Sequence, residues 1–181
     1  MKPLSRWFGC LTLAVAALGT TVVPASALEV LGCFTRGTGD ISLGINDDPA
    51  NCPAANRLDA ISAMVGLENS TPTATPAVPS PLVLTKNVDQ TSPALFLVAA
   101  RGQQLPAVLV VFFDGIEGRR GNRILSILLT NALVVQMSDS ALDQKKGGPV
   151  EQVSFAYAKL LMRDDASGTT GCFDFINNVG C

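Results

Sequence analysis

A mainly β fold, with one short α-helix and one long extended loop, is predicted by three stretches of the chain. Val150 to Met162 places Val153, Phe155 and Tyr157 on one side and Gln152, Ser154, Ala156 and Ala158 on the other, the period-two pattern of a half-buried strand. Ala107 to Phe113, and Arg123 to Met137 after the glycine-rich Asp114 to Asn122, are apolar runs without helical spacing; strands covered on both faces read this way. Thr71 to Pro81 carries four prolines in eleven residues, which forbids helix and favours an extended, polyproline-like chain.

Taken in order, the chain opens with Lys2 and Arg6, an apolar run from Trp7 to Val23 and the small residues Ala25-Ser26-Ala27. This series predicts a secretory signal peptide, residues 1–27, cleaved after Ala27. The uncharged run is shorter than the roughly 20 residues of a membrane span. A secreted or periplasmic product with no membrane attachment after cleavage is therefore expected. Cleavage leaves 154 residues with 11 basic and 15 acidic side chains, a net charge of −4. That length suits a single domain, 28–181, burying about 70% of its unfolded surface. The acidic balance argues against nucleic acid as a partner.

Four cysteines remain after cleavage, Cys33, Cys52, Cys172 and Cys181, an even number in a chain bound for an oxidising compartment. Counting alone allows three pairings. Cys33 with Cys52 and Cys172 with Cys181 is the preferred one, because each joins neighbours across a loop containing Gly, Asn or Pro. A zinc site is the weaker reading, since no close C-x-x-C spacing is present.

Between Leu28 and Gly66, Ile41 to Ile45 and Arg57 to Leu67 read as strands separated by the turn cluster Asn46-Asp47-Asp48-Pro49. Asp47 and Asp48 fit a solvated turn better than a calcium loop, which needs more regularly spaced oxygens. The proline-rich segment 71–81 is then a long excursion from one domain, because what precedes it is too short for its own core. Ser92 before Pro93 marks a helix start, and Arg101 with Gly102 marks its end. The residues between, Ala94 to Ala100, leave no polar face, so the helix must be covered on every side. Its own domain and a subunit neighbour are both physical covers, which makes Leu95, Phe96, Leu97 and Val98 the candidate subunit contacts. Arg119 and Arg120 fall on a hairpin tip, and Asn131 marks a bend or bulge in the long apolar run. The tail from Gly171 is expected to fold back under its own disulfide.

The chain has no histidine, which removes Ser-His-Asp and Cys-His nucleophilic machinery and most zinc hydrolase sites. Phosphate loops, G-x-S-x-G elbows and dinucleotide fingerprints are also absent from the sequence. Asp164-Asp165 beside Gly168 reads as a solvated loop. A glycosidase-type carboxylate pair contributed by distant positions stays open as a minor reading. The expectation is a protein that is not an enzyme, with no catalytic, cofactor-binding or metal-ligating residues to assign.

Two separated stretches resemble one family. Thr85, Lys86, Asp89, Ser92, Pro93, Leu95 and Gly102 are similar to a T-K-x-x-D-x-x-S-P-x-L run followed by helix and glycine. Pro149 to Leu160 is similar to an E-x-V-S-L-x-F-x-K-I strand. Both belong, in this order, to the haemolysin-coregulated proteins (Hcp), the tube proteins of type VI secretion. Leu58 to Ser62 resembles the strand before that family's extended loop. The tail around Phe173 and Asp174 resembles its tryptophan-Asp tail, with phenylalanine in the tryptophan's place. The resemblance implies an Hcp-like β-barrel of two packed antiparallel sheets. It also implies self-association into a ring, hexameric in the family, a lumen that can hold a secreted effector protein, and an extended loop that touches neighbouring subunits or rings. The export signal departs from the family pattern, whose tube subunits are assembled in the cytoplasm. Two readings follow: an exported ring- or tube-forming component or effector related to type VI secretion, and a periplasmic or extracellular β-barrel binding module outside any secretion apparatus.

Overall fold

The fold is organised by a strand that is apolar on both faces, β4 (Gln104–Gly115). Val108 and Val110 point into a central core while Leu109, Val111 and Phe113 belong to a second, outer cluster. This is why its sequence shows no alternation. The computed structural model describes residues 27–37, 42–68, 78–115, 120–140 and 148–181. The expected signal segment up to residue 26 lies outside them, as do Ile41, residues 71–77 of the proline-rich stretch and Arg119.

Around β4 run β1 (Ala27–Phe34), β2 (Arg57–Glu68), β3 (Val78–Asn87), α1 (Ser92–Ala100), β5 (Arg123–Ser140), β6 (Val150–Ala156), β7 (Lys159–Asp164), β8 (Thr170–Asp174) and β9 (Val179–Gly180). All pairings are antiparallel, in the order β4-β1-β2-β3-β6-β5, and β5 pairs back onto β4. Six strands therefore close a barrel. β7, β8 and β9 continue outward from β5 as a flange. The interior holds Val30, Phe34, Leu58, Leu82, Leu84, Val108, Val110, Ile127, Leu129, Val153 and Phe155, contributed by alternate positions of each strand as barrel geometry requires. Gly32 lets β1 squeeze between its neighbours: a Cβ there would lie 3.1 Å from Leu58 Cβ and 3.2 Å from the Leu109 carbonyl oxygen.

β5 is shared by two partners on one edge. Up to Thr130 it pairs with β7, and from Leu133 it pairs with β6. The hand-over falls at Asn131, which takes φ 52°, a left-handed conformation that asparagine tolerates better than other residues with a Cβ. The single strand expected over Val150 to Met162 is correspondingly two strands broken at Tyr157-Ala158, facing the bend. Asn131 is exposed, so its backbone can be tested without disturbing packing. Asn131→Val is expected to cost about 1–2 kcal/mol in urea denaturation, and Asn131→Gly to stay within about 0.5 kcal/mol of the parent.

The strand expected over Ile41 to Ile45 does not form among its described residues. Residues 42–44 join no ladder and 45–46 turn. The turn cluster wins locally: the Gly44 amide donates to Asp47 Oδ2 at 2.6 Å and the Asp47 amide to the Gly44 carbonyl at 3.1 Å. Leu43 and Ile45 instead pack down on the outer cluster of Leu31, Leu109, Val111 and Phe113. Arg123 fastens this strap by donating to the carbonyls of Ile45 at 2.7 Å and Asn46 at 2.9 Å. Arg120, read as a solvated tip, pairs with Asp48 at 3.3 Å and lies over the Phe113 ring at 5.0 Å. β1, in turn, escaped the sequence reading. It is an interior strand with partners on both edges, and Glu29 and Gly32 interrupt its apolar pattern.

Candidate functional site

α1 is the only α-helix among the described residues, and its two sides differ in a way that its uniformly apolar composition hides. Leu95 and Val98 are 0% and 2% exposed and belong to the barrel core. They are therefore unavailable to a neighbouring subunit, and the expectation that they form a contact surface is corrected: the chain's own core covers them. Phe96 and Leu97 are 61% and 48% exposed. With Pro93 and Ala100, both exposed, they form an i, i+3, i+4, i+7 stripe. Beside the stripe lies a groove of about 390 Å³ lined by Phe96, Ala99, Ala100, Val135, Met137 and Asp139, among others. Val135, on β5, is itself 49% exposed.

The base of α1 is fixed by a buried polar cluster. Lys86 and Glu151 are directly opposite each other on β3 and β6, and both are buried. Lys86 Nζ lies 2.6 Å from Glu151 Oε1 and 2.9 Å from Asp89 Oδ1, and it donates to the Asn87 carbonyl at 2.8 Å. Ser92 Oγ donates to Glu151 Oε1 at 2.6 Å and accepts the Asp89 amide at 3.0 Å. Ser92, expected as the helix cap, is thus the first helical residue, and Thr91 occupies the cap position. The Ser92 hydroxyl ties the helix to β6. Desolvation raises the pKa of Asp89, but hydrogen bonds from Thr91 and Lys86 outweigh it and hold the carboxyl below its ordinary value. At the other end Gly102 takes φ 58°, and the Gly102 and Gln103 amides close onto Ala99 and Val98 carbonyls.

A second exposed apolar surface lies on the β2–β3 ribbon. β1 pairs with β2 only over Arg57 to Ala60, and β6 pairs with β3 only from Leu82. Beyond these points the two strands pair only with each other, as a projecting arm. It carries Ile61, Met64, Leu67 and Val78, all exposed. Pro79 and Pro81 lie on this arm, where a missing N–H on the free edge is harmless. The described part of the proline-rich stretch, 78–81, is therefore strand.

The cysteines pair as Cys33–Cys52, with Cα atoms 5.9 Å apart, and Cys172–Cys181, 5.2 Å apart. The first staples the turn at Pro49–Asn51 to β1; the second ties Cys181 to β8. The acidic pair is engaged structurally: Asp164 accepts the amides of Ala166 and Ser167, and Asp165 pairs with Arg123 and Arg163. Exposed hydrogen bonds from Ser167 and Ala166 hold Asp164 below the usual carboxylate range. Among the described residues no cluster of three His, Cys, Asp or Glu could hold a metal, and no helix is long and apolar enough to cross a membrane. The geometry offers exposed apolar surfaces beside buried polar clusters.

A family model described as type VI secretion system effector, Hcp, matches residues 59–163. No curated protein matches the chain. Among solved structures, Hcp1 from Salmonella typhimurium is similar with a TM-score of 0.65 at 18% identity, covering 86% of this chain and 99% of that one. The secreted protein Hcp3 from Pseudomonas aeruginosa is similar with a TM-score of 0.60 at 18% identity, covering 81% and 99%. Hcp1 from Flavobacterium johnsoniae gives a TM-score of 0.52 at 14% identity over 67% and 94%. The two stretches that carry the sequence resemblance meet in space at Lys86 and Glu151, and the matched region runs through the barrel from β2 to β7. The chain belongs to the type VI secretion system effector family Hcp.

Proposed function

We propose that this protein works by self-association, as an exported ring- or tube-forming component or effector related to type VI secretion. The observation that carries the reading is the exposed stripe of Phe96 and Leu97 on a helix whose opposite side is locked into the core. With Val135 in the same groove the stripe forms one exposed apolar patch, and a contiguous patch of this kind marks a contact surface. The β2–β3 arm supplies a second apolar surface of different shape. Two different patches on one chain make heterologous contacts, which close into rings when the rotation permits. Six copies per ring is the number we assign, by analogy with the family's rings. A single domain over residues 28–181, released by cleavage after Ala27, is the unit we assign to the assembly, and a secreted effector protein in the lumen is its expected partner. The chemistry is that of binding, not catalysis.

Light scattering on the exported, oxidised protein tests this. A mass near six chains is the expected result. A monomer that persists as concentration is raised overturns the ring and favours the second reading, a periplasmic or extracellular binding module, to which the two disulfides are equally suited.

A further inference from the structure

The two disulfides differ in what surrounds them. Cys33 and Cys52 are buried, and the segment leading to Cys52 is also held by the Arg120–Asp48 pair and by Leu43 and Ile45 on the outer cluster. Cys172 is only half-buried and Cys181 is exposed. The exposed bond also holds an element that has little else to hold it. β9 is two residues long and meets β8 in two pairs, Phe173 with Gly180 and Asp174 with Val179. One further hydrogen bond, from the Cys181 amide to the Cys172 carbonyl, measures 3.3 Å. Every residue from Ile176 to Cys181 is exposed, so little apolar burial retains β9.

What precedes β9 is anchored independently. The Phe175 amide donates to the Ala158 carbonyl at 2.9 Å, and its ring meets Tyr157 and Phe173 at 5.7 and 5.1 Å. Asp174 accepts the Ile176 and Asn177 amides at 3.1 and 3.0 Å. Loss of the disulfide would therefore free residues 178–181 and leave the rest of the tail in place. Phe173 and Asp174 would then join the rest of β8 as an open edge of the β7–β8 flange, with unpaired backbone groups.

We propose that Cys172–Cys181 is a thiol-exchange site for a dithiol, and that exchange there uncaps the edge of β8. A thiolate of the incoming dithiol attacks Sγ of the exposed residue Cys181, and the S–S electron pair leaves on Cys172 Sγ. The dithiol's second thiolate then displaces Cys181 Sγ. The protein gains two thiols, reduced by the two electrons that the dithiol gives up in becoming a disulfide. Exposed disulfides are the exchangeable ones, whereas buried ones wait for local opening. The β8 edge is thus capped where disulfide donors prevail and uncapped where dithiols do.

The test treats the full oxidised protein with dithiothreitol under native conditions, with timed alkylation, peptide mass spectrometry and amide hydrogen exchange. Cys172 and Cys181 should be labelled at least about tenfold faster than Cys33 and Cys52. The protein should stay folded, and protection should fall only within residues 170–181. Cys181→Ser should reproduce the same exchange pattern without reductant while Cys33–Cys52 stays bonded. Labelling of all four cysteines together would overturn the exchange site. Unchanged protection of the β8 amides in the reduced protein or in Cys181→Ser would overturn the uncapping. Neither result depends on ring formation.

Discussion

Lys86→Met is expected to lower the folding free energy by about 3–5 kcal/mol, the cost of stranding one member of a buried ion pair. In a chain of this size that is a fall in Tm of roughly 6–20 °C. The reason is what stays behind. Glu151 is fully buried; its Oε1 would keep only the Ser92 hydroxyl, and its Oε2 already has no hydrogen-bond partner among the described residues. Asp89, partly exposed, can recover water. Replacing both charges, Lys86→Met with Glu151→Leu, should cost less than Lys86→Met alone, because no uncompensated charge is then left in the barrel wall. Urea denaturation of the parent, both single variants and the double variant gives the comparison. A Lys86→Met midpoint within 1 kcal/mol of the parent would sink the assignment of this pair as the lock between β3, β6 and α1.

That lock shows how far a sequence can be read and where reading stops. Period two puts Lys86 in phase with Leu82 and Leu84, and Glu151 in phase with Val153 and Phe155, so each charge occupies a core-facing position of its strand. A lone buried charge is too costly to survive, so two such positions of opposite sign predict each other. Their partnership across 65 residues still required the β3–β6 register, which no local pattern carries. The helix posed the opposite difficulty. Its ends were legible from Pro93, Arg101 and Gly102, but an apolar residue at every position erased the signal that tells core from surface. β4 and the bend at Asn131 were legible because each follows from a local property, an unbroken apolar run and a residue tolerant of positive φ. The strap at 42–45 was misread as strand because its apolar side chains serve tertiary packing while its backbone obeys the turn cluster beside it. β1 was hidden because Glu29 and Gly32 interrupt its apolar pattern, so neither an unbroken run nor a clean alternation marks it.

The helix gives the second large effect, and it separates folding from association. Leu95→Ala should cost about 2–5 kcal/mol, since its side chain fills the barrel core and the cavity left cannot collapse against strands closed on themselves. Leu97→Asp, two residues on, should change the stability of the isolated chain by no more than about 0.5 kcal/mol, because that side of α1 makes no core contact. The effects on assembly should be reversed. A folded Leu95→Ala protein, held well below its melting temperature, should keep the parent's mass in light scattering. Leu97→Asp should dissociate, because a carboxylate buried against an apolar neighbour must be desolvated without a partner. Stability has to be compared at a dilution where the parent is monomeric, since association itself raises apparent stability by mass action. If Leu97→Asp assembles like the parent, the outer face of α1 is not a contact, and the β2–β3 arm with Met64 and Leu67 becomes the surface to change next. If Leu95→Ala disrupts the assembly while remaining folded, the division of the helix into a core side and a contact side fails.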